Sequence, residues 1–335
     1  MQYFNKEYFI SSPSVVTMTN IPGLPDPYRG KVREMYELDG ESMLIIVSDR
    51  LSAHDVVLPT GIRNKGKVLN GLSAYWFERT SDIIGNHMIT AQIDEILGRL
   101  REAGANDPEH LRDELDGRSM IVRKARVYPV ECIVRGYLFG SMWKEYVALC
   151  EAAGPDAETV NWNGFELPVG MLQGEKLPEA IFTASTKAAD GQHDVNISFE
   201  EMCEILGSEE VAAEIRAASL ALYARATEEA AANGIIICDT KFEFGDIDGR
   251  LVVIDEALTP DSSRFWDAKT YQPGRDQPSF DKQEVRDYLD ACCDCGSWDK
   301  AFPGPELPKE IAEKTAEKYA EAYRRITGKD MEMAA

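Results

Sequence analysis

The chain has 335 residues, with 36 Lys and Arg against 58 Asp and Glu, a formal net charge of −22. A field that negative repels a phosphate backbone at long range. It excludes general nucleic-acid binding and admits an anionic substrate only where cations cluster locally. A make-up of 28% charged and 44% hydrophobic residues is that of a globular protein, long enough for two domains or one with insertions.

Residues 1–27 are rich in Ser and Pro and read as a lead-in arm. They lack the basic flank and apolar core of a signal peptide. No apolar run approaches the roughly 18 residues of a membrane helix. Lys31–Leu38 and Met43–Val47 read as a hairpin turning at Asp39-Gly40, with Arg29-Gly30-Lys31 at its entrance. Gly71–Thr80 and Ile93–Ala103 read as helices, and Ser119–Val127 and Val130–Arg135 as strands parted by Pro129. Ser141 is expected to N-cap a helix running to about Ala153, and Ser198 with Glu201 to form a capping box. An Ala/Glu-rich helix from about Glu209 to Ala232 stops at Asn233-Gly234. Ile235–Phe244 and Arg250–Asp255 form a second hairpin turning within Asp246–Gly249, and an amphipathic helix fills Pro308–Gly328. Phe165–Ile197 is rich in Pro, Gly and polar residues with little periodicity. It is expected to be a mobile active-site loop that closes over the substrates. The seven cysteines suggest no disulfide framework. Cys292, Cys293 and Cys295 have no matching Cys/His pair nearby for zinc. The expectation is a reduced, soluble, cytoplasmic protein.

The second hairpin carries the sharpest chemistry. In Asp239-Thr240-Lys241-Phe242-Glu243-Phe244-Gly245 the charged residues share one strand face and the two Phe take the other. With the turn centred near Asp248, Lys241 is expected opposite Asp255 and Glu243 diagonal to it. Glu243 and Asp255 can then hold Mg²⁺, which takes one or two carboxylates plus phosphate oxygens, with Lys241 neutralising a phosphate. The plainer alternative is a solvated strand face with cross-strand ion pairs. The apolar run Ile235-Ile236-Ile237-Cys238 leading into the charges weakens it. In the stretch from Glu131 to Ser141, Arg135 ends a strand and Gly140-Ser141 opens a helix. Such an N-terminus binds phosphate through free N–H groups, and an Arg adds a bidentate clamp. A simple helix cap explains Gly140-Ser141 equally well. Gly30 with its flanking cations Arg29, Lys31 and Arg33 can lie over a nucleotide, or be only an exposed basic strand. Arg264, soon after the second hairpin, is placed to meet the same ligand.

Together these segments resemble the SAICAR synthetase family. The matching pieces are Tyr28–Arg33, Ser48–Asp55, Pro129–Arg135 running to Gly140-Ser141, Ile181–Lys187, His193–Ser198, Asp239–Gly245 and Asp255 to Arg264, in the family's order. The resemblance implies a ligase that joins L-aspartate to carboxyaminoimidazole ribonucleotide (CAIR) with ATP and Mg²⁺, through an acyl phosphate. It implies an α+β fold: a kinase-like or ATP-grasp-like N-terminal nucleotide lobe (1–128), a mixed α/β substrate region (129–275) and a C-terminal helical extension (276–335). It assigns ATP to Gly30, Lys31, Val32, Arg33, Lys241 and Glu243, and the metal to Glu243 and Asp255. Substrate falls to Arg135, Ser141, Lys187, His193, Asp194, Asn196 and Arg264, and catalysis to Asp239, Lys241 and Arg264. A monomer or small homo-oligomer is expected, with no nucleic-acid or membrane partner. The chemistry suits these residues independently. A carboxylate is a poor electrophile, and phosphorylating it among anionic partners calls for metal and fixed cations. The rival readings are a small-molecule kinase on the same hairpins and a non-catalytic acidic binding protein.

Overall fold

The computed structural model describes residues 6–10, 12, 14–187, 195–280 and 282–330. His193 and Asp194 lie outside them.

Two antiparallel-rich sheets organise the chain. The first has the order Tyr28–Arg29, Arg33–Glu37, Ser42–Val47, Ser119–Arg123, Met88–Thr90, all antiparallel. The helix Lys65–Arg79 covers it, burying Val68, Leu69, Leu72, Trp76 and Phe77. The second sheet runs Asn196–Ile197, Lys176–Thr186, Val130–Tyr137, Ile235–Ile247, Arg250–Ile254, Gly85–Asn86, and Ser263–Asp267 also pairs with Ile235–Ile247. Its back face is closed by the helix Glu209–Ala232, whose bounds are those expected. That helix meets Val130, Cys132 and Val134 from one strand and Phe242 and Phe244 from another in a single hydrophobic cluster. Tyr319, Ala322 and Ile326 of the C-terminal helix Lys309–Thr327 enter the same cluster. The fold is α+β, as expected.

The local signals act as their chemistry dictates. Ser198 accepts from the Glu201 N–H while Glu201 accepts from the Ser198 N–H, so the capping box is complete. The second hairpin closes on Asp248-Gly249, both with positive φ (56° and 76°), as a two-residue turn requires.

Three expectations are corrected. The first is the register of that hairpin. With only Asp248 and Gly249 in the turn, Ile254 lies opposite Glu243, one residue off the expected pairing of Lys241 with Asp255. A slip of one residue would send Asp255 to the far face. Instead the backbone turns left-handed at Asp255 (φ 65°), and the carboxylate stays within electrostatic reach of Glu243. The second is the Phe165–Ile197 segment, which is largely sheet rather than loop. Phe165–Pro168 pairs with Thr159–Trp162, and Lys176–Thr186 is an inner strand flanked by Val130–Tyr137 and Asn196–Ile197. Of its polar residues, Thr183 and Ser185 lie opposite Ile133 and Glu131 on the site face, while Lys176 and Glu179 are exposed. The third is Ser141. The helix begins at Gly140 with Phe139 as N-cap and no side-chain cap, so Ser141 lies within the first turn.

Candidate active site

Neighbouring strands of the second sheet put their polar side chains in rows on the face away from the Glu209–Ala232 helix. Arg135 pairs with Asp239, and Asp239 with Arg264, across three adjacent strands. The Asp239 carboxylate accepts from Arg264 Nη1 and lies 3.6 Å from Arg135 Nη1. One anion thus holds two guanidinium groups side by side, which would otherwise repel. Arg135 is 7% exposed and its Nε has no hydrogen-bond partner among the described residues. Burial lowers its pKa, Asp239 opposes that effect and Arg264 adds to it. Arg135, Ser141, Asp239, Lys241 and Arg264 line one cavity of about 240 Å³, which Asp261 and Arg286 also line. Gly140 makes the corner: at φ 65°, a Cβ there would stand 3.0 Å from Arg264 Nη2. Arg264 also lies over the Phe139 ring, 5.8 Å from its centroid.

Two residues along, Lys241 faces Ile133. Its ammonium donates to Glu131 and lies 4.0 Å from Glu243. Burial pulls its pKa down, but Glu131 and Glu243 outweigh this and raise it, so it stays charged. Glu243 also accepts from Lys187 (2.5 Å). Beyond it Arg33 reaches across from the first sheet. Its Nη1 lies 2.7 and 2.8 Å from the Asp255 oxygens and its Nη2 lies 2.5 Å from Glu256. Burial raises the Asp255 pKa, Arg33 draws it back and Glu243 adds to the rise. Asp239 and Glu243 are four residues apart, roughly 13 Å along an extended strand. The face therefore has two ends: a pair of guanidinium groups at one, and carboxylates with ammonium groups at the other.

The Gly30–Arg33 turn is fixed to the carboxylate end through Arg33. Its backbone is clamped by Arg50, which is fully buried and donates to the carbonyls of Gly30, Lys31 and Arg33. The Val32 carbonyl takes the Ser48 N–H and hydroxyl. Lys31 is exposed and pairs with Asp55 at 2.6 Å. Asn196 is exposed and pairs with Ser185, itself opposite Glu131. Arg50, Glu131, Asp261 and Arg286 were not among the assigned site residues, although the first three fall within the matching segments. Glu131, at spacing two from Ile133 and four from Arg135, also had a local signal: its strand parity places it on the site face.

Comparison with known proteins now decides the family. The SAICAR synthetase family model matches residues 26–303. The chain belongs to the SAICAR synthetase family. It is 50% identical over 314 residues to a phosphoribosylaminoimidazole-succinocarboxamide synthase of Syntrophotalea carbinolica, covering 94% of this chain and 98% of that one. A synthase of the same name from Geobacter metallireducens is 48% identical over 316 residues, with 94% and 99% covered. The SAICAR synthase of Saccharomyces cerevisiae, solved with SAICAR, superposes with a TM-score of 0.79 at 37% identity over 95% of this chain and 99% of that one. A type-2 SAICAR synthetase solved with ADP gives 0.62 at 27% identity, over 92% and 100%. As a member of this family the chain is an ATP-dependent ligase of purine biosynthesis, and the kinase reading is not favoured. Among the described residues, no helix is long and apolar enough to cross a membrane.

Proposed function

We propose that the two ends of the sheet face divide the substrates of this ligase, and that the reaction runs where they meet. The observation that carries the reading is the row Arg135–Asp239–Arg264, in one cavity with Lys241, on the same strand as Glu243. Arg135 and Arg264, with Ser141, take the ribose phosphate of CAIR through charge-assisted, bidentate bonds. Asp239 orients both guanidinium groups. A ribonucleotide anchored there extends its base along the strand and delivers the CAIR carboxylate toward Lys241.

At the other end Gly30, Lys31, Val32 and Arg33 cover ATP, and Lys241 neutralises the transferring phosphoryl group. The donor set fits Mg²⁺: Glu243 and Asp255 are two hard carboxylates within each other's field, which is what Mg²⁺ takes when it arrives on a triphosphate. When bound, Mg²⁺ neutralises charge on the phosphates. Lys187, ion-paired to Glu243, is placed to exchange that partner for phosphate oxygens. Transfer of the γ-phosphoryl group to the CAIR carboxylate gives an acyl phosphate. The aspartate amine then displaces phosphate, forming SAICAR. Asn196 borders the substrate side, and His193 and Asp194 keep the substrate role that the family resemblance implies. The organisation read is a nucleotide lobe (1–128), a substrate region (129–275) and a C-terminal extension (276–335), in a cytoplasmic monomer or small homo-oligomer. ADP release measured with ATP, CAIR or aspartate omitted in turn tests the reading. Amide product only with all three supports it, and phosphate transfer to a hydroxyl without aspartate refutes it.

A further inference from the structure

Residues 255–262 join the two ends of the site. Asp255 opens the segment, and Arg264 follows its exit into the Ser263–Asp267 strand. Two non-glycine residues in it, Asp255 (φ 65°) and Leu258 (φ 56°), have left-handed backbone. L side chains avoid that conformation unless their surroundings enforce it. Local bonds brace one part: Thr259 Oγ1 donates to Glu256 (2.5 Å) and accepts from the N–H groups of Asp261 and Ser262. The Lys241 N–H holds the Ser262 carbonyl.

Asp261 supplies the long-range anchor. Its carboxylate accepts from Lys65 Nζ (2.7 Å), at the start of the Lys65–Arg79 helix, and from the Tyr319 hydroxyl (2.6 Å), on the C-terminal helix. Lys282 Nζ lies 3.4 Å away and also donates to the Ser52 carbonyl. Lys65 and Tyr319 have no exposed surface. Burial would raise the Asp261 pKa, but Lys282, Lys65 and the Tyr319 hydroxyl hold it well below the usual carboxylate range. A buried ion pair adds little net stability over an apolar filling, so what this cluster supplies best is a fixed position. That position is on the wall of the cavity that holds Arg135, Ser141 and Arg264.

We propose that Asp261 is a positioning residue: Lys65 and the C-terminal Tyr319 clasp it, and through it fix the loop that presents Arg264 to the ribonucleotide phosphate. The C-terminal helix thereby sets affinity for that substrate. The proposal rests on reading the Arg135/Arg264 end as the phosphate site.

Tyr319→Phe removes one hydroxyl and keeps the ring in the core. In the full chain, calorimetric titrations with CAIR and with ADP–Mg²⁺ are compared, alongside steady-state kinetics and thermal melting. The expected result is a rise of about tenfold in both Kd and KM for CAIR, the worth of one hydrogen bond to a charged group. ADP affinity is expected to stay within about twofold, with cooperative melting kept. Unchanged CAIR affinity, or equal weakening of both ligands, would overturn the clasp and leave the cluster a plain stability element. Arg264→Ala run in parallel separates the two claims. If it leaves CAIR binding intact, the phosphate site itself is misread. If it weakens CAIR while Tyr319→Phe does not, only the clasp fails.

Discussion

At Asp255 the chain leaves a regular strand with left-handed backbone and keeps a half-buried carboxylate within the field of Glu243. A strained turn that keeps two like charges close is costly unless a cation joins them, and Arg33 does so from one side. Glu243→Gln and Asp255→Asn keep shape and remove a hard ligand. Each is expected to cut turnover at limiting Mg²⁺ by roughly 10–100-fold, recovering in part as Mg²⁺ is raised. Near-normal turnover of both variants at limiting Mg²⁺ sinks the metal assignment. Arg135 gives the complementary test. Arg135→Ala is expected to weaken CAIR by about 1.5–3 kcal/mol, the range for a hydrogen bond to a charged group, and to leave ADP nearly unaffected. Calorimetry with each ligand decides it, and parallel losses would move Arg135 from the phosphate site to a shared structural role.

Among the elements, the corner between the Val130–Tyr137 strand and the Gly140–Ala153 helix is the most sensitive. Gly140→Ala puts a side chain at φ 65° and against the Arg264 guanidinium. The KM for CAIR is expected to rise by roughly an order of magnitude and the melting temperature to fall by a few degrees. An unchanged KM would show that Arg264 has room to move without loss. Much at this scale was legible in the sequence because it rests on local chemistry. Ser198 and Glu201 announce a cap, Asn233-Gly234 ends a helix, and Asp248-Gly249 makes a turn. The strand Lys176–Thr186 was not legible. Thr183 and Ser185 look like loop residues until the Val130–Tyr137 strand, and at Ser185 also Asn196, gives the backbone its partners. The helix Gln283–Asp294 also went unread. Only Val285 and Leu289 are buried within it, too short a stripe to stand out. Strand parity placed Asp239, Lys241 and Glu243 on one face. The expected pairing of Lys241 with Asp255 failed because a single residue in the turn decides the register, and Asp261 was missed because its partners lie far away in sequence.

For the molecule as a whole, the question is how the two sheets share one reaction. Arg33 is the bridge, bonded across 222 residues of sequence to Asp255 and also to Glu256. Arg33→Gln leaves those carboxylates without their cation. Because the pair is partly exposed, the expected cost is about 2 kcal/mol of stability, below that of a fully buried pair, with a raised KM for ATP. Denaturant unfolding and ATP titration check both, and unchanged values would show that the two sheets do not depend on this contact. If the sheet face brings the CAIR carboxylate to the transferring phosphoryl group, phosphate leaves carrying a carboxylate oxygen. CAIR labelled with ¹⁸O in its carboxylate, turned over with ATP and aspartate, tests it by mass analysis of the released phosphate. One ¹⁸O in the phosphate is expected for each SAICAR formed, and phosphate released without label while SAICAR accumulates would rule out an acyl phosphate on CAIR.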